Sequence, residues 1–246
     1  MSGHSKWSTI KHKKEKTDAQ RGKTFTKIGR ELAIAVREAG PDPVSNTKLR
    51  DVIAKAKMVN IPNDNIARSI KKAAGELGSV VYEEINYEGY APGGVAVICE
   101  IVTDNRNRTA ASVRHIFDKN GGALGTSNSV AFMFDRKGHI VIERGALTED
   151  EVTLAALDAG AEDIRVLDGA FEIITALGDF SAVREYLEKA GYDFLEAELA
   201  YLPQNTVTPD DAHVDKIIRL LDMLDDDDDI LHVWHNAELP ADEEED

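Results

Sequence analysis

The sequence predicts an α+β protein: an N-terminal basic three-helix domain followed by two ferredoxin-like α+β domains, one inserted into the other. Three observations predict it. Apolar residues between 24 and 74 recur at helical spacing. Beyond Gly78 short apolar runs alternate with helical patterns. Residues 138–202 alone complete a β-α-β-β-α-β order, leaving strand and helix signals on both sides that must join across the insertion.

Taken in chain order, residues 1–22 form an arm with no periodic pattern, whose polarity predicts mobility until something binds it. Thr24 caps a first helix with Phe25, Ile28, Leu32, Val36 and Ala39 on one stripe, stopped by Gly40-Pro41. Ser45 caps a second, carrying Leu49, Val52, Ile53 and Ala56, and Pro62 with Asn63 or Asp64 opens a third, carrying Ile66, Ile70, Ala73 and Ala74. Lys48, Lys55, Lys57, Arg68, Lys71 and Lys72 fall largely off these stripes, so the unit is basic-faced.

Strands follow at 80–88, 94–102 and 129–135, with a helix from about 108 to 119 ended by Asn120-Gly121. Within 138–202, Thr148 to Glu151 forms a capping box for a helix that ends at Gly160. Asp179 is the candidate cap of the next helix, which ends at Gly191. A helix near 209–225, with Thr208 as cap and Pro209 at its first position, and a strand at 230–235 complete the outer domain. The boundaries are therefore 1–22 for the arm, 23–78 for the helical domain, 79–136 plus 205–238 for a discontinuous α+β domain, 137–204 for the inserted one, and 239–246 for a disordered acidic tail.

Charge is divided unevenly along the 246 residues. The net charge is −16, yet residues 1–78 hold 17 Lys+Arg against 8 Asp+Glu, and residues 79–246 hold 12 against 37. Residues 1–30 alone carry 9 basic and 2 acidic side chains. A basic module on an acidic body points to a polyanionic partner, the body limiting indiscriminate attachment. No apolar run approaches the ~18 residues of a membrane span. The N-terminus lacks the apolar core of a secretory signal. A single cysteine, Cys99, permits no internal disulfide. These features predict a cytoplasmic protein without a membrane partner, and a monomer, since no symmetric apolar stripe is present.

Chemistry-bearing motifs are few. There is no phosphate-binding glycine loop. His232 and His235, at i and i+3 of a strand, point to opposite faces and cannot easily share an ion. Asp225 to Asp229 reads as a solvated helix end and turn, and Cys99 as a packing residue. No nucleophile–base order or paired-carboxylate spacing stands out, so no enzyme, cofactor, metal or small-molecule substrate is expected. Lys137-Gly138-His139-Ile140-Val141-Ile142 keeps the basic-glycine start of an RNA-recognition motif but lacks its aromatics.

Two segments remain as candidate nucleic-acid contacts. The first is the arm and the helix it enters: Lys6, Trp7, Lys11, Lys13, Lys14, Lys16, Arg21, Lys23, Lys27 and Arg30. Its cations can neutralise phosphates and Trp7 can stack on an unpaired base, or simply pack on the body. The second is Asp104-Asn105-Arg106-Asn107-Arg108-Thr109, where Arg106 and Arg108 beside a helix N-terminus can clamp a phosphate or remain solvated in a capped turn.

GHSKW at 3–7, Arg21-Gly22-Lys23 with Phe25, Tyr87-Glu88-Gly89-Tyr90-Ala91-Pro92-Gly93-Gly94, the DNRNRT run, Val113-Arg114-His115 and Gly125 with Ser129-Val130 occur in one order. Together they resemble the YebC family over almost the whole chain, Gly3 to about Asn236. The resemblance implies a small helical domain with two related α+β domains, one inserted in the other. It also implies a role as a DNA-binding transcriptional regulator, or as a translational activator linked to the ribosome and to relief of stalling. It carries over no catalytic residue. The expected function is thus a non-enzymatic nucleic-acid-binding regulator of gene expression, with DNA or ribosomal RNA as partner. The alternative is a protein-interaction scaffold that does not need its lysines.

Overall fold

The computed structural model describes residues 18–75 and 81–240, with side chains from residue 22 onward. The expectations for most of the arm and for the acidic tail lie outside the described residues.

The helical domain consists of α1 (Asp18–Ala39), α2 (Thr47–Met58) and α3 (Asn63–Gly75). Ile28, Leu32, Ala35 and Val36 of α1 pack against Leu49, Val52 and Ala56 of α2 and Ile66 of α3. Thr24 is not a cap, because α1 has already begun at Asp18, inside the segment expected as arm. The residues from 18 to 23 carry almost no apolar periodicity, so hydrophobic pattern could not reveal that turn. Ser45 is displaced as cap of α2 by Asn46, whose Oδ1 accepts the Leu49 N–H at 2.9 Å. The same amide donates to the carbonyls of Ala35 at 2.7 Å and Gly40 at 2.8 Å, closing α1 as it opens α2. A hydroxyl cannot accept and donate twice in this way, which is why asparagine takes the position.

The first sheet contains β1 (Glu83–Ala91), β2 (Val95–Thr103), β3 (Ala123–Leu124) and β8 (Ile230–His235), in the order β3-β1-β2-β8. Gly93 and Gly94, at φ 75° and 77°, make the tight turn between β1 and β2. Two helices, α4 (Arg106–Lys119) and α7 (Asp211–Asp225), cover one face, where Phe117 and Leu220 meet Val97, Cys99 and Ile101 of β2. Burial pushes the Cys99 thiol well above its ordinary value, consistent with packing and not with nucleophilic chemistry.

The strand expected at 129–135 is a different object. Residues Ala131–Met133 form a 3₁₀ turn, and Phe134 opens β4 (Phe134–Glu143), which belongs to the second sheet. The cause is Glu88, buried in β1, whose carboxylate accepts the N–H groups of Asn128, Val130 and Ala131 at 2.7 to 2.8 Å. Those amides are satisfied by a side chain and do not join a strand ladder. Thr208 likewise leaves the capping position of α7 to Asp210, because its hydroxyl donates to Glu238 at 3.0 Å.

The inserted domain runs β4, α5 (Glu149–Ala159), β5 (Asp163–Leu167), β6 (Ala170–Thr175), α6 (Phe180–Lys189) and β7 (Phe194–Pro203). Its sheet order β5-β6-β4-β7 is that of the ferredoxin-like arrangement. The Thr148–Glu151 capping box is formed, while Asp179 occupies the N-cap of α6 without a side-chain bond. Compactness groups residues 136–202 as one unit and joins the helical domain with the discontinuous α+β domain, residues 17–135 and 203–239, as another.

Candidate functional site

Within that larger unit the acidic run is the expected helix end and turn, exposed at Asp226 and Asp228 but buried at Asp229. It receives the cationic side of α1. Lys23 reaches Asp226 Oδ1 at 2.8 Å, Lys27 reaches the Asp225 carbonyl at 2.6 Å, and Arg30 reaches the Asp228 carbonyl at 2.5 Å and Asp229 Oδ1 at 2.7 Å. The spacing of 23, 27 and 30 places all three on one side of the helix, away from the apolar stripe of Phe25, Ile28 and Leu32.

Asp229 is the centre of this clasp, and its side chain is only 8% exposed. Its Oδ2 accepts from Arg108 at 2.8 Å, Thr109 Oγ1 at 2.7 Å and Thr103 Oγ1 at 3.2 Å. Burial alone would raise the carboxyl, but hydrogen bonds from Arg108, Thr109 and Arg30 outweigh it and hold the group below its usual range. Burial dominates at Lys27 and lowers its ammonium despite the neighbouring Asp225. Asp227 joins in through Ser112, whose hydroxyl donates to it at 2.8 Å.

The DNRNRT run therefore supplies the second jaw. Asn105 caps α4 by accepting the Arg108 N–H at 3.1 Å, and Arg108 spans Asp104 and Asp229, both at 2.8 Å. Arg106 is exposed at the first position of α4, and its side chain is not among those that meet Asp229. A second link lies on β8. Lys55 donates to Glu31 Oε1 at 3.0 Å and to His232 Nε2 at 2.9 Å, and His232 stacks on Trp234 with ring centroids 5.3 Å apart. His235 instead accepts the Ala237 N–H at 3.2 Å, so the two histidines serve separate contacts. Among the described residues no group of three or more His, Cys, Asp or Glu is placed to hold a metal ion.

Of the twelve candidate residues, the structure gathers Lys23, Lys27, Arg30 and Arg108 on the aspartate run and leaves Arg106 outside it. Lys6, Trp7, Lys11, Lys13, Lys14 and Lys16 lie outside the described residues. Arg21 falls within α1, but its side chain is also outside them. Sequence reasoning missed Asp229, Thr103, Thr109 and Ser112 as partners. The available signal was the match between a basic segment and an uninterrupted acidic run far along the chain.

Fold and clasp together define a class: a three-domain α+β protein whose helical domain is docked by charge on the α+β domain that another interrupts. Family models described as the TACO1/YebC protein N-terminal domain and the TACO1/YebC second and third domain match residues 5–76 and 82–237. The chain belongs to the TACO1/YebC family. It is similar to a protein of Acetivibrio thermocellus, 61% identical over 238 residues, covering 96% of this chain and 98% of that one. A relative from Clostridium botulinum is 55% identical across the full length of both. Both are named probable transcriptional regulatory proteins. The crystal structure of a conserved hypothetical protein from Aquifex aeolicus, 45% identical, matches with a TM-score of 0.84 over 92% of this chain and 93% of that one.

Proposed function

We propose that this chain is a non-enzymatic, nucleic-acid-binding regulator of gene expression that contacts phosphates through its N-terminal arm. The observation that carries the reading is the division of cations. The clasp engages Lys23, Lys27, Arg30 and Arg108 with the aspartate run. The arm lysines at 6, 11, 13, 14 and 16, with Trp7 between them, precede that helix in sequence. Lysines and an interleaved aromatic suit a polyanion with unpaired bases. The names of the relatives support a regulatory role. Arg21 and the exposed Arg106 are the further arginines proposed to reach phosphate.

Two processes fit this chemistry, transcription through DNA and translation through ribosomal RNA. No half-site symmetry element is legible, and an arm that can enter structured RNA favours translation. Crosslinking in living cells by ultraviolet light, followed by sequencing of the attached nucleic acid, tests both. Ribosomal RNA clustered at one site is the expected result. Discrete promoter DNA would assign the chain to transcription. A signal unchanged in a variant with Lys11, Lys13, Lys14 and Lys16 replaced by glutamine would remove the arm from the contact, and no nucleic acid recovered above background from the unaltered chain would favour the protein-interaction scaffold.

A further inference from the structure

On the side of α1 that faces α3, an open groove of about 270 Å³ runs into the helical domain. Phe25, Ile28, Ile61 and Ile66 are its apolar lining, and Asn65 and Arg68 line it with polar groups. The volume is just below the usual range of ligand sites, so the groove can take part of a molecule and not a whole one.

Two features say what kind of molecule. The first is Gly29, which lines the groove from the interior of α1. A Cβ added there would meet nothing within 4 Å, so no packing neighbour requires glycine, although glycine is unfavourable in a helix. Gly22, two turns earlier on the same side, is equally open. Bare backbone along a groove permits the close approach of a planar group. The second is charge. Arg68, Lys71 and Lys72 are exposed at i, i+3 and i+4 of α3, with Asp64 the one carboxylate of that helix. An apolar lining that includes an aromatic ring, one arginine of the same lining and two further cations along that arginine's helix are the parts of a platform for single-stranded nucleic acid.

We infer that this groove receives one unstacked base of a single-stranded nucleic acid against Phe25, with Arg68 and Lys71 holding the adjoining phosphates. The inference rests on the nucleic-acid reading above and narrows it to a site outside both the arm and the clasp.

The test uses the full-length chain and three fluorescein-labelled probes of one mixed sequence: single-stranded RNA, single-stranded DNA and the DNA duplex. Binding is followed by fluorescence anisotropy. Gly29→Leu fills the groove while improving helix propensity, and Gly29→Ala is the small control. The expected result is about tenfold weaker single-strand binding for Gly29→Leu, the size of a lost stacking contact, with Gly29→Ala and the duplex little changed. Replacing Arg68 and Lys71 with glutamine should lower the salt slope on a single strand by about 1.4, at roughly 0.7 per contact. Preference for RNA or DNA between the two single strands names the source of the base. Full single-strand affinity in a folded Gly29→Leu protein would overturn the groove while leaving the arm reading intact. Failure of the unaltered chain to bind any probe would overturn both. If Gly29→Leu changes only the sedimentation of the protein, the groove holds a second copy and the inference fails. Should that variant not fold, RNA carrying 4-thiouridine gives a second measurement on the unaltered chain. Adducts at Phe25 or within 61–69 support the site, and adducts confined elsewhere refute it.

Discussion

Asp229 and Asp226 belong to one acidic run, and each holds a cation of α1, but their surroundings differ. The Asp229 side chain is 8% exposed and meets two arginines and two threonine hydroxyls. The Asp226 side chain is 65% exposed and meets Lys23, itself 40% exposed. Charge complementarity alone would count these pairs as equal. Burial separates them: a desolvated carboxylate with donors on both oxygens is a fixed structural centre, whereas a solvated pair contributes little beyond its Coulomb attraction in water.

The largest expected effect follows from removing the centre. Asp229→Ala should destabilise the unit by about 3 to 5 kcal/mol, because Arg30 and the Thr103 and Thr109 hydroxyls lose their common acceptor. Denaturant unfolding followed by Trp234 fluorescence in a Trp7→Phe background reads this, since Trp234 lies on β8 of the sheet that carries the clasp. Loss of under 1 kcal/mol would erase the distinction between the two ends. The same carboxyl sets an acid limit. Its pKa is lower folded than unfolded, so its stabilisation is complete above about pH 5 and is lost as the pH falls through the folded value. The midpoint of Asp229→Asn should accordingly fall less steeply between about pH 5 and pH 3 than that of the unaltered chain.

Arg30→Ala comes next. Its Nη1 donates to two carbonyls and one carboxylate, at 3.2, 2.5 and 2.7 Å. Asp229 keeps Arg108 and both threonines in this variant, so the expected loss is smaller, about 1.5 to 3 kcal/mol. Combining Arg30→Ala with Asp229→Ala should give clearly less than the sum, since the two residues share one contact.

How much of this was legible beforehand follows the range of each signal. The Ile28–Leu32–Val36 stripe and the Thr148–Glu151 capping box are local patterns, and both stand in the structure where periodicity and spacing put them. The β-α-β-β-α-β order was legible for the same reason. Glu88 was not, because its three amide partners lie about forty residues away and no local rule links a strand carboxylate to a distant turn. The clasp is the same case over a longer separation. Lys23, Lys27 and Arg30 were legible as cations, and Asp225 to Asp229 as a helix end, but Thr24 as expected cap left Lys23 outside the helix and nothing local pairs the two segments. The buried His139–Glu172 pair, with Nε2 and Oε1 at 2.8 Å, was also missed, since two strands of the inserted domain bring its members together.

Lys27 tests the intermediate case. Its side chain is 12% exposed and burial lowers its ammonium, so the charge is held at a desolvation cost. Lys27→Met keeps the stem that packs along α1 and removes that cost. It should change stability by less than about 1.5 kcal/mol, in either direction, as volume-conserving replacements of buried ions do. A loss as large as that of Arg30→Ala would show that the ammonium bond to the Asp225 carbonyl is structural in the same sense as the arginine.

The smallest effect belongs to the outer pair. The hydrogen bond to Asp226 raises the Lys23 ammonium, and a lysine raised on folding keeps its full contribution at every pH below its ordinary range. Asp226→Asn and Lys23→Gln should therefore shift stability by no more than about 1 kcal/mol, with no dependence on pH between about 6 and 9. What remains should vanish in about 1 M salt, where screening acts over roughly 3 Å. The Asp229 contribution should survive that salt, because its partners exclude the solvent that carries the ions. Measuring both variants in low and high salt sets the two ends of the run against each other in one experiment. Equal salt sensitivity would mean that Asp229 is wetter in solution than its contacts indicate, and that the clasp is held by net charge and not by its buried centre.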